Sequence, residues 1–159
     1  MSTNIVELLD PQTSAALAVD FGGAGFVCAL AFAAIGSALG TGTAGLATLG
    51  AWKRCLLEKR QPPFILVAFV GAPLSQVIYG MILMNDLKAA SDANPWTLLA
   101  AGLFGGIAIG LSSWAQGKAA AGAADAFVST GKGFANYLMV LGIIETVALF
   151  VMVFLMTAI

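Results

Sequence analysis

Residues 133–159 read GFANYLMVLGIIETVALFVMVFLMTAI, and Glu145 is the one charged side chain among them. A bilayer's hydrocarbon core takes about 20 helical residues to cross, so this stretch is long enough to span. Working outward, three further apolar segments have the same character. One runs from about Ser14 to Gly50 and is closed by Trp52-Lys53-Arg54; another runs from about Pro62 to Leu87. The third starts after Asn94-Pro95 and continues to about Ser129. Four strands could not close a barrel and would leave backbone groups unpaired in lipid, so the spans must be helices. The fold expected is an all-α membrane protein with four transmembrane helices.

Composition supports the same class. The 159 residues are 60% hydrophobic and 9% charged, against about 25% charged in an average soluble domain. So few charges could not cover a soluble surface, which excludes a soluble enzyme and a disordered tail. A net charge of −1 lacks the basic footprint of nucleic-acid binders, so no nucleic-acid partner is expected. Histidine is absent, and Cys28 and Cys55 have no disulfide or zinc spacing. The first twenty residues hold Glu7, Asp10 and Asp20 but no base. A secretory signal has a basic start, so the mature chain is expected to begin near Met1.

Loop charges orient the spans. Lys53, Arg54, Lys59 and Arg60 crowd the segment 51–61, whereas 85–95 holds Asp86, Lys88 and Asp92. The positive-inside rule puts 51–61 and the Gly131-Lys132-Gly133 loop in the cytoplasm and both termini outside. Topology alone accounts for the basic loop, and a cytoplasmic partner would use the same charges.

The chain also repeats itself. An offset of 77 sets Gly25 on Gly102, Gly40 on Gly117 and Gly45 on Gly122. Beyond the loops an offset of 71 sets Gly71 on Gly142, Ser75 on Thr146 and Met81 on Met152. A short segment 1–13 is thus followed by two tandem helical hairpins of the same sense, 14–88 and 95–159. Small residues recur at contact spacing, as Gly25, Ala29, Ala33, Gly36 and Gly40 and as Gly102, Gly106 and Gly110. Such rows let helix backbones approach in lipid. The bulk (Phe64, Phe69, Tyr79, Phe150, Phe154) falls on the second and fourth helices. Small-faced inner helices and bulky outer ones suit a closed ring of hairpins.

Glu145 carries the chemistry. It lies about 18 Å along its helix, where a lone carboxylate costs roughly 2.5–3.5 kcal/mol to insert. No Arg or Lys reaches its depth, so a functional role outweighs a structural one. Ser75 and Gln76 lie about 20 Å from the start of the second helix, and Gln116 about 18–20 Å from the cytoplasmic end of the third. Ala72, Ser75, Gln76 and Tyr79 share a face. Pro73 offers no N–H to the carbonyl of Phe69, and a carbonyl freed there, that of Ala72 first, can turn into the site. A carboxylate, two amide oxygens, a hydroxyl and a carbonyl form the all-oxygen set that hard cations take.

The stretches Gly36–Ala47 and Gln116-Gly117-Lys118-Ala119-Ala120-Ala121-Gly122, with Glu145, resemble the rotor-ring proteolipid of V-type ATPases, called subunit K in bacteria. Pro73-Leu74-Ser75-Gln76-Val77-Ile78-Tyr79 resembles the sodium-site pattern of the Na⁺-pumping members, although Leu74 replaces an expected small residue. The resemblance implies Ser75, Gln76, Gln116, Glu145 and the Ala72 carbonyl as ligands of Na⁺, with Tyr79 hydrogen-bonded to the carboxylate. It also implies a prokaryotic cell membrane, identical subunits in a ring, a stator subunit bearing an arginine, and a central-stalk subunit on the cytoplasmic loops. Torque would come from a soluble ATPase head. The chain holds no phosphate loop, so it is expected to be a non-catalytic subunit.

Ligand chemistry favours Na⁺ over H⁺, because Ser75, Gln76 and Gln116 supply oxygens that protonation does not need. The offsets set Leu74 against Glu145 and Leu39 against Gln116. One ion per four helices favours a pump over a synthase. A small multidrug-type antiporter or a tetraspan scaffold are the rival classes. Lys118 and Asp125 read as snorkelling or end-capping groups, Trp52, Trp96 and Tyr137 as anchors at the lipid interface, and Asp20 as a headgroup-level acid.

Overall fold

The computed structural model describes residues 10–159, with only the backbone at 18–20. The expectations for Met1, Glu7 and the Asp20 side chain lie outside the described residues. Every regular element among the described residues is helical, and four spans are long and apolar enough to cross a bilayer. The chain is a multi-pass integral membrane protein.

The first helix covers Pro11–Leu57. It starts three residues before Ser14 because Asp10 caps it, accepting from the Gln12 and Thr13 amides at 2.9 Å each. Pro11 needs no amide partner at that position. Its far end corrects the expected loop 51–61, since the helix continues through Trp52-Lys53-Arg54 to Leu57. Charges end a membrane span without ending a helix that is still packed. Ala51 and Cys55 are buried here, and Arg54 pairs with Asp125 of the third helix at 3.0 Å. At a 1.5 Å rise the helix is about 70 Å long, more than twice a hydrocarbon core of about 30 Å. The true loop is short. Lys59 makes the turn with φ 55°, and the Trp52 indole N–H donates to the Pro63 carbonyl at 3.0 Å.

The second span, Phe64–Ala89, starts just after the two prolines and is not a uniform helix. A 3₁₀ turn at Phe64–Leu66 leads into α-helix at Val67–Gly71. A second 3₁₀ turn at Ala72–Leu74 precedes α-helix at Ser75–Ala89. Pro73 explains the second turn, since it lacks the N–H that an α-turn would use. The third helix, Pro95–Thr130, is capped by Asn94 and closed by Gly131 in the left-handed region. The fourth, Phe134–Ala158, is unbroken across Glu145.

Glycine rows weld the first helix to the third. A methyl group at Gly102 would lie 1.9 Å from the Gly25 carbonyl oxygen, and one at Gly36 would lie 2.1 Å from that of Gly110. At Gly117 it would meet the Gly40 backbone at 2.2 Å. Only hydrogen fits at these positions. The second and fourth helices flank this pair, with Phe69 fully buried between layers and Phe64, Phe150 and Phe154 turned outward. Trp96 stacks on Phe21, ring centroids 5.0 Å apart.

Candidate functional site

Three helices converge on Glu145. From the second, the Tyr79 hydroxyl donates to Glu145 Oε1 at 2.6 Å. From the third, Gln116 Nε2 donates to Glu145 Oε2 at 3.3 Å and to the Leu141 carbonyl at 3.0 Å. Both Gln116 amide protons are thereby used, and its oxygen faces Gln76, whose Nε2 donates to it at 2.8 Å. Gln76 Oε1 then faces Ser75, whose hydroxyl lies 3.2 Å from it and 3.3 Å from the Ala72 carbonyl oxygen. The two acceptors around Gln116 Nε2 determine the orientation of the whole relay.

Burial is uneven along this relay. Gln76 and Gln116 are wholly buried, 0% exposed, whereas Glu145, Tyr79 and Ser75 are half-buried. The carboxylate therefore sits at the edge of the network, on its outer side, with the amides behind it. Its hydrogen-bond partners are neutral donors, and the two ion pairs among the described residues lie far off, at Arg54–Asp125 and Arg60–Glu58. Oxygens of Ala72, Ser75, Gln76, Gln116 and Glu145 thus form one continuous cluster. Such a set suits a hard cation or a proton shared with the carboxylate.

Pro73 is buried and has a partner that the sequence reading did not include. The Ser113 hydroxyl donates to the Pro73 carbonyl at 2.7 Å and is hydrogen-bonded to Ser37 at 3.1 Å. Its neighbour Ser112 donates to the Ile144 carbonyl at 2.9 Å. Ser113 and Ser112 lie three and four residues before Gln116, on its side of the helix. That spacing was the available signal. Lys118 and Asp125, read as end groups, have specific partners: Lys118 Nζ lies 3.6 Å above the Trp114 ring, and Asp125 holds Arg54.

A carboxylate in mid-span, hydrogen-bonded by neutral polar groups from neighbouring spans, marks the candidate functional site of this helical multi-pass membrane protein. Residues 99–158 match the family of the ATP synthase C subunit. The match takes in the third and fourth helices, with Ser112, Ser113, Gln116 and Glu145, and leaves Ser75, Gln76 and Tyr79 outside it. Members of that family are non-catalytic, which agrees with the expectation of a non-catalytic subunit. No curated protein matches the chain.

Proposed function

We propose that the chain is the membrane rotor subunit of a V-type ATPase and carries Na⁺ on Glu145 as a ring of identical subunits turns. The observation that carries this reading is the hydrogen-bonded relay from Ser75 through Gln76 and Gln116 to Glu145 and Tyr79. The ATP synthase family match over the third and fourth helices supports a rotor role. The tandem hairpins 14–88 and 95–159, with small-faced helices inside and bulky ones outside, suit a closed ring.

In this mechanism Na⁺ is cargo. Glu145 supplies the negative charge, and the oxygens of Ser75, Gln76, Gln116 and Ala72 replace the water shell of the ion. Tyr79 holds the carboxylate in place through Oε1. A neutralised site can cross lipid, while an empty carboxylate is held back by the cost of its charge. Release follows where a stator arginine pairs with the emptied carboxylate. A central-stalk subunit on the basic loops would deliver torque, and membrane lipid surrounds the ring. With Leu74 and Leu39 standing where Glu145 and Gln116 recur in the other hairpin, each copy of the chain holds one ion on four helices.

Labelling of Glu145 by a hydrophobic carbodiimide, which attacks the protonated carboxyl, tests the reading. Protection by millimolar or lower Na⁺ at constant pH is the expected result. Labelling that follows pH alone makes the rotor a proton carrier. No labelling at any pH removes the ion-carrier role, and a dimer instead of a large closed multimer on native mass spectrometry favours an antiporter.

A further inference from the structure

The offset of 71 residues pairs Pro73 with Ile144, and these are the two carbonyls that adjacent serines of the third helix hold. Ser113 takes the Pro73 carbonyl at 2.7 Å and Ser112 takes the Ile144 carbonyl at 2.9 Å. Pro73 lies in the 3₁₀ turn Ala72–Leu74, just before Ser75 and Gln76, and Ile144 immediately precedes Glu145. One dipeptide therefore grips the half-site of the second helix and the half-site of the fourth at matching points. Ser37 of the first helix braces Ser113 from behind at 3.1 Å.

The junction is closed to water. Ser113 is 0% exposed and Ser37 1%. A methyl at Gly40 would lie 2.4 Å from the Ser113 carbonyl oxygen and 2.9 Å from the Pro73 side chain. The space vacated by one hydroxyl in so closely packed and buried a junction is too small for a water. Loss of the hydroxyl leaves the Pro73 carbonyl without that donor, and the 3₁₀ turn Ala72–Leu74 without its lateral tie. The second helix has no other means of fixing this turn through an α-type bond from residue 73, since proline has no N–H.

We infer that Ser113 is a positioning residue for the ion site, setting how far the Ala72, Ser75 and Gln76 oxygens stand from Glu145. Ser112 is its counterpart on the carboxylate side. The inference rests on the sodium reading above and deepens it. Ser113 touches no proposed ligand atom, so it acts through the turn that presents them. Groups hydrogen-bonded directly to metal ligands typically change affinity by about 10–100-fold when lost, and Ser113, one step further out, belongs at the lower end of that range.

The test uses the assembled full-length protein, with carbodiimide labelling of Glu145 followed against Na⁺ at fixed pH and against pH without Na⁺. Ser113→Ala is expected to raise the half-protecting Na⁺ concentration about tenfold and to leave the pH midpoint of labelling in place, because the Tyr79 and Gln116 bonds to the carboxylate remain. Ser37→Ala shifts Na⁺ protection in the same direction, roughly two- to threefold, as the loss of one bracing hydrogen bond would. Ser113→Cys, nearly the same shape with a weaker donor, falls between serine and alanine. If Ser113→Ala prevents assembly, Ser37→Ala and Ser113→Cys decide the matter by the same readout. Wild-type Na⁺ protection in all three variants overturns the inference while leaving the sodium reading intact. Parallel movement of the Na⁺ and pH midpoints also overturns it, since that marks general loosening. A wild-type protein that Na⁺ does not protect overturns the sodium reading itself, and this inference with it.

Discussion

The two helix pairs bring different things to one site. The second pair supplies the carboxylate and one amide on an unbroken helix, Phe134–Ala158, and a straight neighbour, Pro95–Thr130. The first pair has Leu74 and Leu39 where those groups recur, yet it supplies Ser75, Gln76, Tyr79 and the Ala72 carbonyl from a span broken into 3₁₀ and α segments. Charge sits on a regular helix, and all the neutral oxygens except that of Gln116 sit on the irregular one. The physical reason is that freeing or redirecting backbone carbonyls requires an interruption, which costs least where it is packed inside protein. The unbroken helix can present its acid by side-chain reach alone.

The strongest way to break this contrast is to exchange the roles. Glu145→Gln keeps the shape but has one acceptor oxygen for the two donors, Tyr79 and Gln116, and is expected to abolish carbodiimide labelling and ion transport. Adding Leu74→Glu to that variant is expected not to restore transport, because Leu74 is 53% exposed on the outside of its span and Leu39 offers no amide. Restored transport would make the two pairs interchangeable.

Next in size are the glycine seams shared by both pairs. Gly102→Ala drives a methyl into the Gly25 backbone, where neither side can give way, and should cost at least about 1–3 kcal/mol. Gly122→Ala, with no atom within 4 Å, should be neutral within about 0.5 kcal/mol. Thermal melting in detergent separates them, and equal melting temperatures would contradict the backbone-to-backbone packing.

Gln76→Leu tests the contribution of the first pair to the site. Gln116 Oε1 loses its donor and the proposed Na⁺ site loses one of its oxygens, so Na⁺ protection of Glu145 should weaken at least about tenfold with assembly size unchanged on native gels. Unchanged protection removes Gln76 from the ligand set. The smallest effect expected is at the chain's described beginning. The Thr13 hydroxyl, with help from backbone amides, holds the Asp10 carboxyl below its ordinary value of 3.8. A depressed acid stabilises the cap above 3.8, and that stabilisation is lost as pH falls through its lower folded value. Protection factors of the Gln12 and Thr13 amides should fall there and should be low at all pH in Asp10→Ala.

Much of this was legible from residue order. Helix number, the solitary Glu145 and the common depth of Ser75, Gln76 and Gln116 all follow from hydropathy and a 1.5 Å rise, which are properties read along one dimension. The overrun of the first helix to Leu57 was not legible, because it depends on Ala51 and Cys55 finding neighbours on another helix. Glycine spacing indicated close packing, but only the assembled bundle set Gly25 against Gly102 and Gly40 against Gly117. Ser112 and Ser113 are small residues of a span, with neither charge nor bulk to single them out. Which carbonyl each serine grips depends on the rotation of three helices about their axes, a quantity that depth along one chain does not contain. Sequence alone thus determined the helices and the acid at mid-span, and tertiary packing decided what surrounds that acid, because a hydrogen bond needs both depth and direction.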